Sequence, residues 1–423
     1  MEAQTKYKGL QKMQPKDLTV GMYIAELDRD WKETNFPIQG FYIRNQATIT
    51  QLTDEHEHVF VDPRRYDSKL GEVKLHAVSA PSKQAQPKLS ARERLQPLKP
   101  KVYEDQCETA DELPAAQTSL SEAEDALREC VAKLQSNGGF DIEAIEQAIS
   151  PLVHSVMRNQ TALAALARMR RIDDYLYSHA LSCSVWGAVI GRQLGLPPED
   201  INLLATTCAV MDIGKTALPI ELLSKPDKPT DSEWDVLRGH VDLSVELLEK
   251  NGLTNPRILN AVRTHHERHD GSGYPNGLVG NKIPAFGRIA GIIDTYDAMI
   301  SERAYAPARS SYKAVQEIQS AAGTLFQEEL VEYFIKSIGV FPVGSIVELN
   351  TGEVGVVMSQ SEQNRLKPKI MLILEEDKQP RKHLVIIDLS NQQSDPSQPL
   401  QWWITKELPG NAYGINPQEY FLG

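Results

Sequence analysis

A long run of helical periodicity fills the middle of this chain and constrains its fold more than any other feature. Leu120, Ala123, Leu127 and Val131 recur at helical spacing, and the same spacing returns in later segments. Helix start signals and apolar faces predict further helices over residues 142–156, 162–169, 175–194, 199–210, 231–248 and 256–266. The pattern therefore predicts an all-α domain over residues 119–340, which is long enough to bury its own core.

The segment before the helical domain has a different period. Residues 22–25, 40–43 and 58–61 alternate between apolar and polar side chains and are separated by turn residues. Such alternation predicts a small β-rich or α+β module over residues 10–77. Pro, Gln, Lys, Ser and Ala dominate the following stretch, which predicts a flexible linker over residues 78–118.

The segment after the helical domain also alternates. Strands are predicted over residues 345–349, 355–358, 370–373 and 384–387, with turns between them. These strands predict a small β module over residues 341–423, which the stretch around Trp402 and Trp403 completes or covers. The expected fold class is therefore multidomain, with an all-α bundle flanked by two small β modules. Sensing, dimerisation into a homodimer and covering of the helical domain all fit the two modules.

The bulk composition narrows the function classes. A net charge of −12 argues against a general binder of nucleic acid or anionic membranes, while a local basic pocket for phosphate stays compatible with it. The four cysteines have no CxxC spacing, which favours reduced thiols in the cytoplasm. Met1–Gln11 lacks an apolar core, and no apolar run is long enough to cross a bilayer, so neither a signal peptide nor membrane insertion is expected.

A dense polar segment, residues 265–275, gives the strongest indication of chemistry. It reads His-His-Glu-Arg-His-Asp-Gly-Ser-Gly-Tyr-Pro. Neutral imidazole is a common metal ligand, and carboxylates bind hard cations, so the segment predicts part of a metal site beside a shaped loop. The helical domain holds further groups that fit such a site, and these are His179, Asp212, His240, Asp294 and Asp297.

Each of these groups also has an ordinary structural interpretation. A single histidine on an apolar helix is more often a core or surface residue than a ligand. Asp212 follows an apolar helix, where the helix dipole disfavours an acid, so a compensating cation such as Lys215 is expected beside it. Cys183 and Cys208 are best interpreted as small buried core residues. The ligand interpretation rests on the groups occurring together, because bundles place such side chains inward from several helices.

The order of these residues resembles the HD-GYP family, a branch of the HD phosphohydrolases. The resemblance covers roughly residues 119–340, and the N-terminal module resembles the domain of unknown function that often precedes this domain. It rests on His179, the run Asp212-Ile-Gly-Lys215, His240, the segment 265–275, and the runs Asp294-Thr-Tyr-Asp297 and Ser301-Glu-Arg303.

The resemblance implies hydrolysis of a cyclic dinucleotide, chiefly cyclic di-GMP to pGpG or GMP, in bacterial signalling. It implies two divalent ions, iron or manganese, held by His179, Asp212, His240, His265, His266 and Asp294, with Asp212 as the bridge. Lys215 then matches the lysine that contacts the scissile phosphate or the metal-bound water, and Lys215 and Asp212 are the expected catalytic residues. The substrate-facing positions are Gly271, Gly273, Tyr274, Pro275 and Arg303. Diguanylate cyclases of the GGDEF type are expected as protein partners.

The sequence departs from the family pattern at the name-giving pair. Met211 stands where the family has a histidine, and a thioether is a poor ligand for iron or manganese. One metal would then lose a ligand, while the metal held by His240, His265 and His266 keeps its set. Tyr175 stands where some members have a glutamate for a third metal, and Ala306 replaces a basic residue. Two hypotheses follow, a phosphodiesterase weakened at one metal, and a degenerate receptor or interaction module.

Overall fold

The computed structural model of the protein describes residues 10–29, 40–43, 46–66, 101–135, 139, 141–169, 175–301, 308–360, 366–391, 402–410 and 412–422. The chain divides into two compact units. The first comprises residues 1–87, 348–355 and 360–406, and the second comprises residues 88–347, 356–359 and 407–423. The first unit thus joins the N-terminal module to much of the C-terminal β segment, a grouping that depends on long-range contacts rather than on local periodicity.

A small antiparallel sheet with one helix forms the N-terminal part of the first unit. The strands lie in the order β1-β4-β2-β3. Their bounds, and those of the helix, are β1 Gln11–Met13, β2 Tyr23–Leu27, β3 Phe41–Tyr42, α1 Gln46–Glu55 and β4 Val59–Val61. Ile24 on β2 is fully buried, as the alternating pattern predicts, and Leu52 on α1 is fully buried as well. This module is α+β.

The C-terminal strands form one five-stranded sheet in the order β8-β7-β6-β5-β9. The bounds are β5 Ile346–Leu349, β6 Val354–Ser359, β7 Lys369–Leu374, β8 Pro380–Asp388 and β9 Ile404–Leu408. The first four strands match the sequence prediction, and β9 follows Trp402 and Trp403, which completes the sheet. The predicted small β module is therefore present.

Helices make up most of the second unit. Their bounds are α2 Thr109–Gln135, α3 Ile142–Arg158, α4 Gln160–Met169, α5 Tyr175–Gln193, α6 Pro198–Val210, α7 Ile220–Leu223, α8 Asp231–Arg238, α9 His240–Lys250, α10 Pro256–Thr264, α11 Ala285–Ile300, α12 Ser311–Ser320, α13 Glu328–Ile338 and α14 Glu419–Leu422. Local signals explain several starts. Asp141 caps α3 by accepting a hydrogen bond from Ala144 N, and Asn255 caps α10 just before Pro256. The predicted mostly helical centre is confirmed. Among the described residues, no helix is long and apolar enough to cross a membrane.

Two local predictions differ from the structure. Helix α2 begins at Thr109, inside the stretch predicted as a flexible linker. Leu113, Ala116 and Leu120 lie on its buried face, and the Pro-containing composition concealed this apolar spacing. The single helix predicted over residues 231–248 is two helices, α8 and α9, with Gly239 between them. Glycine weakens a helix interior, and Gly239 is the C-cap of α8 and the N-cap of α9.

Candidate metal centre

Three helices, and the segments that follow two others, bring the six predicted ligands to one place in the second unit. His179 lies on α5, Asp212 follows α6, His240 begins α9, His265 and His266 follow α10, and Asp294 lies on α11. All of these side chains are buried except that of His266, which is partly exposed. Because the residues are far apart in sequence, their convergence comes from the packing of α5, α6, α10 and α11.

The first donor cluster consists of Asp212, His240, His265 and His266. One ligand atom from each lies within 4.8 Å of all the others. Oδ1 of Asp212 is 3.1 Å from Nε2 of His240 and 3.6 Å from Nε2 of His265. The Nε2 atoms of His240 and His266 are 3.2 Å apart. Three imidazoles and one carboxylate oxygen are a ligand set suited to a divalent transition metal.

The second donor cluster consists of His179, Asp212 and Asp294. Nε2 of His179 is 3.2 Å from Oδ2 of Asp212 and 3.2 Å from Oδ1 of Asp294. The ligand atoms of this cluster also lie within 4.8 Å of one another. The two clusters share Asp212, whose Oδ1 faces the first cluster and whose Oδ2 faces the second. This is the arrangement that a carboxylate bridging two cations requires.

Hydrogen bonds at the Nδ1 atoms orient three of the imidazoles. Nδ1 of His240 lies 2.6 Å from the carbonyl oxygen of Leu237, and Nδ1 of His265 lies 2.6 Å from that of Val262. A carbonyl oxygen only accepts, so Nδ1 is the donor in both rings and Nε2 is the ring nitrogen that faces the cluster. The bond from His240 also ties the end of α8 to the start of α9.

Asp297 orients the third imidazole, and this role was missed in the sequence analysis. Its Oδ2 lies 2.7 Å from Nδ1 of His179, while its Oδ1 accepts a hydrogen bond from Nε1 of Trp186 at 3.2 Å. Asp297 is buried and lies one turn after Asp294 on α11. Its spacing from Asp294 is the signal that identifies it, because residues three apart share a helix face. The carboxylate leaves Nε2 of His179 as the atom that faces the second cluster.

The residues present fit a cation on electrostatic and hydrogen-bonding grounds. Oδ1 of Asp212 and Nε2 of His265 are buried, and neither makes a hydrogen bond of acceptable geometry within the described part of the chain. Burial alone would raise the pKa of the Asp212 carboxyl, but Lys215 and the neighbouring histidines outweigh it and hold the pKa well below its usual range. Burial, reinforced by His265, lowers the pKa of His266, so this imidazole is neutral at pH 7. Imidazole nitrogens and carboxylate oxygens that converge in a buried place favour a bound divalent ion.

Lys215 supplies the cation that the sequence predicted next to Asp212. Its Nζ donates a hydrogen bond to Oδ2 of Asp212 at 2.5 Å. Lys215 lies on a short 3₁₀ helix, Ile213–Ala217, and its side chain is partly exposed. Gly214 allows this turn to approach α9 closely, because a Cβ there would lie 2.2 Å from the carbonyl oxygen of His240. The ammonium group of Lys215 thus lies beside the buried cluster while part of its side chain reaches solvent.

The Gly-Tyr-Pro segment forms a wall beside His266. The Tyr274 ring stacks on the His266 ring at 4.6 Å between centroids, with 20° between the planes, and the Tyr274–Pro275 peptide bond is cis. Gly273 is sterically required, since a Cβ there would lie 2.3 Å from Arg268 N. Gly271 has φ +87°, which favours glycine. Burial and the nearby Asp294 raise the pKa of the Tyr274 hydroxyl, so it stays protonated.

A buried carboxylate, to which the sequence pattern alone assigned no role, holds this loop. Glu267 is 4% exposed, and its two oxygens accept hydrogen bonds from Asn276 N at 2.8 Å and Leu278 N at 2.9 Å. These bonds connect the histidine pair to the far side of the loop. A glutamate between two histidines and a glycine-rich turn, with no apolar period around it, is the sequence signal for such a residue.

The remaining positions named from the sequence are either outside the described residues or buried in the core. Arg303 and Ala306 lie outside the described residues, as does the side chain of Tyr175. Met211 is fully buried at the end of α6, directly before Asp212. Cys183 is buried, and burial raises the pKa of its thiol to about 12, which agrees with a neutral core residue rather than a thiolate ligand. The thiol of Cys208 is likewise buried, with its pKa raised by burial.

Family comparisons match almost the whole length of the chain. A family model described as an HD domain matches residues 153–330. A domain of unknown function matches residues 10–145, and a KOW domain associated with HD domain matches residues 346–394. The match to the domain of unknown function therefore runs through α2, which is consistent with an ordered helix in that stretch.

Three curated relatives show where the similarity lies. The cyclic di-GMP phosphodiesterase PA4108 of Pseudomonas aeruginosa is 26% identical over 84% of this chain and 82% of its own length. The cyclic di-GMP phosphodiesterase response regulator RpfG of Xanthomonas campestris is 34% identical over 46% of this chain and 52% of its own length. The 3'3'-cGAMP-specific phosphodiesterase 2 of Vibrio cholerae is 32% identical over 41% of this chain and 33% of its own length. This chain thus spans about half or less of the last two relatives.

Proposed function

This chain belongs to the HD-GYP family of HD-domain proteins, and from that premise we propose that it hydrolyses a phosphodiester bond of a cyclic dinucleotide with divalent metal ions. Cyclic di-GMP is the proposed substrate, with pGpG or GMP as products. Two relatives are named for cyclic di-GMP and one for 3'3'-cGAMP, so the base preference is the finer part of the proposal.

The observation that carries this proposal is the position of Asp212 between two donor clusters. Its Oδ1 faces His240 and His265, and its Oδ2 faces His179. Two ions bound there would activate a water molecule as nucleophile and neutralise the phosphate oxygens during in-line displacement. A core with a purely structural role does not need nitrogen and oxygen atoms that converge in this way. Buried polar groups without hydrogen-bond partners lower the stability of the folded state.

The remaining residues have proposed roles in binding and orientation. Lys215 sits within 2.5 Å of Asp212, so its ammonium group is placed to contact a non-bridging oxygen of the scissile phosphate. Gly271, Gly273 and Pro275 shape the loop that presents Tyr274 beside His266. Tyr274 stays protonated and donates its hydroxyl hydrogen to the substrate. We also assign Arg303 to a phosphate contact, on the resemblance alone.

The two clusters are proposed to differ in affinity. The cluster of Asp212, His240, His265 and His266 offers four donors, whereas the cluster of His179, Asp212 and Asp294 offers three. Met211 takes the place of the fourth donor at the second cluster, and a thioether binds iron or manganese poorly. We therefore propose iron or manganese as the metals, with one ion held more tightly than the other.

Turnover of cyclic di-GMP by anaerobically purified protein tests the function. We expect pGpG or GMP to form with Fe²⁺ or Mn²⁺, and to disappear with a chelator. Asp212→Asn is the matched variant, because it keeps the side-chain volume but removes the bridging charge. The proposed activity is wrong if the metal-loaded wild-type protein forms no product while Met211→His shows clear turnover.

The buried Met211 favours one alternative, a degenerate member that binds without cutting. This alternative predicts saturable cyclic dinucleotide binding by calorimetry and no product with either metal. In this alternative the domain acts by binding other proteins. The partner proposed first is a diguanylate cyclase of the GGDEF type, and the second is another copy of this chain in a homodimer. The four cysteines are free thiols, which supports the proposal of a cytoplasmic location.

A further inference from the structure

An exposed segment, called the arm below, connects two parts of the candidate metal centre. It consists of residues 216–238, which include α7 and α8, and it lies between Lys215 and His240. No residue of this arm is buried. It nevertheless carries three large apolar side chains that are exposed to solvent. Ile220 is 65% exposed, Trp234 is 41% exposed and Val236 is 47% exposed. An exposed tryptophan next to a catalytic centre is unusual for a purely structural helix.

Several contacts give the second helix of the arm a defined position. Thr230 and Glu233 form a reciprocal capping box at the start of α8. Lys225 Nζ donates hydrogen bonds to both oxygens of Glu233, at 2.7 and 2.9 Å. At the other end, the carbonyl oxygen of Leu237 accepts from Nδ1 of His240. The orientation of α8 is therefore coupled to the position of a candidate metal ligand.

One face of α8 is turned toward the Gly-Tyr-Pro loop. The guanidinium carbon of Arg238 lies 5.6 Å from the centroid of the Tyr274 ring, within the range of a cation–π contact. Trp234 lies four residues before Arg238, so the two side chains share one helix face. Arg238 is half exposed, and its other contact is a 3.4 Å pair with the exposed Asp235. Most donors of this guanidinium thus face solvent beside the site.

We propose that Trp234 and Arg238 form a purine subsite, which holds one guanine base of the substrate. This inference rests on the proposed function. An indole face stacks on any nucleobase, so Trp234 contributes binding without selectivity. Arg238 contributes selectivity, because a guanidinium donates to both O6 and N7 of guanine. Adenine presents an amino donor in place of O6, so the same arginine disfavours it.

The subsite also accounts for the binding of a base, which the metal centre does not explain. A cyclic dinucleotide has two bases and two phosphodiester groups, and Lys215 with the donor clusters accounts for one phosphodiester. Arg238 lies beside Tyr274, so its guanidinium is placed to meet a base attached to that phosphodiester, and Trp234 shares its helix face. Affinity for a substrate of this size comes from contacts remote from the reacting bond, and such contacts set specificity.

Base selectivity in the full-length protein is the direct test. We expect Arg238→Ala to raise KM for cyclic di-GMP by about tenfold or more, the discrimination of one bidentate guanine contact. The preference for cyclic di-GMP over cyclic di-AMP, measured as a ratio of kcat/KM values, falls by a similar factor. Arg238→Gln restores part of the affinity for adenine, since glutamine pairs with adenine N6 and N7. Trp234→Ala weakens both nucleotides equally, and Trp234→Phe retains most of the affinity.

The chain offers a matched control for each substitution. Arg263 lies two residues before His265, as Arg238 lies two residues before His240, but Arg263 pairs with Glu249 at 3.8 Å. Arg263→Ala leaves the base preference unchanged. Val236 is on α8 but off the shared face, so Val236→Ala leaves the affinity for both nucleotides unchanged.

Each outcome separates this inference from the proposed function. If the wild-type protein shows no turnover, the proposed hydrolysis fails, and the same ratio is then measured as equilibrium affinities for the two nucleotides. The subsite is overturned if Arg238→Ala changes both nucleotides equally, or if neither nucleotide binds the wild-type protein. Unchanged base preference in all α8 variants, together with loss of a protein partner, would instead assign the arm to protein docking and overturn the subsite.

Discussion

The imidazole of His179 donates from Nδ1 to Oδ2 of Asp297 at 2.7 Å, which leaves Nε2 facing Asp212 and Asp294. We expect Asp297→Ala to lower the metal affinity of the three-donor cluster by about 10–100-fold, the usual effect of losing such an orienting partner. Competition with a chelator of known affinity measures this. Asp242→Ala, an exposed acid on α9, is the control and should change nothing. An unaltered affinity in Asp297→Ala would contradict the orienting role.

Met211 is expected to limit the occupancy of the second cluster. Met211→His adds an imidazole directly before Asp212, so we expect the metal content to rise from about one towards two ions per chain, because two-metal sites of this kind need the extra donor. Elemental analysis of anaerobically purified protein gives the ratio. Met211→Leu preserves the side-chain volume and should leave the ratio at the wild-type value. Equal ratios in all three proteins would show that Met211 does not limit binding.

Glu267 is expected to hold the Gly-Tyr-Pro loop in its binding conformation. Glu267→Ala leaves the amides of Asn276 and Leu278 without their acceptors, a loss of roughly 1–3 kcal/mol for each buried group. We expect a raised KM for the nucleotide and faster amide exchange in residues 271–278. Glu267→Gln keeps one acceptor oxygen and should fall between the wild type and Glu267→Ala. The assignment fails if the alanine variant exchanges its loop amides at the wild-type rate.

Gly273 is expected to tolerate no side chain. A Cβ there would lie 2.3 Å from Arg268 N and 2.5 Å from the Cα of Glu267, and both are backbone atoms that cannot rotate away. Gly273→Ala should therefore displace Tyr274 from His266 and reduce kcat/KM by at least tenfold, about 1.4 kcal/mol. Ser272→Ala, next to it and exposed, is the control. Wild-type kinetics in Gly273→Ala would show that the loop conformation is not needed.

The start of α8 is expected to lose order in acid. Hydrogen bonds from Lys225 and Thr230 lower the pKa of Glu233 from 4.5 to about 2. A carboxyl whose pKa is depressed by folding contributes stability above its unfolded pKa, and that contribution is lost as the pH falls through the folded value. Amide protection in α8 should thus be constant above pH 4.5 and decline between pH 4.5 and 2. Glu233→Gln should show lower protection with no decline of its own in that window.

Local sequence patterns predicted most of the fold correctly. Helical spacing located α3 to α6 and α10, and it covered α8 and α9 as a single helix, whereas α7 was not predicted. Alternation located β2, β3, β4 and the first four C-terminal strands. Both signals act over a few residues, because a helix or strand buries one side of its own segment. The early start of α2 was missed because it depends on the packing of Leu113 and Ala116 against other parts of the chain. The break at Gly239 was missed because the apolar spacing continues on both sides of it, and the bond from His240 to Leu237 is a side-chain detail that spacing does not reveal.

The sequence by itself determined which residues carry the chemistry and in what order, since imidazole, carboxylate and lysine have their affinities wherever they lie. Only the tertiary structure decided that they meet, with Asp212 shared between two clusters. It also decided that Asp297 and Glu267 act as supports, and that Arg238 lies beside Tyr274. The physical reason is that coordination and hydrogen bonding act over a few ångströms, while these residues are separated by tens of positions along the chain, and only the packing of α5, α6, α10 and α11 closes that distance.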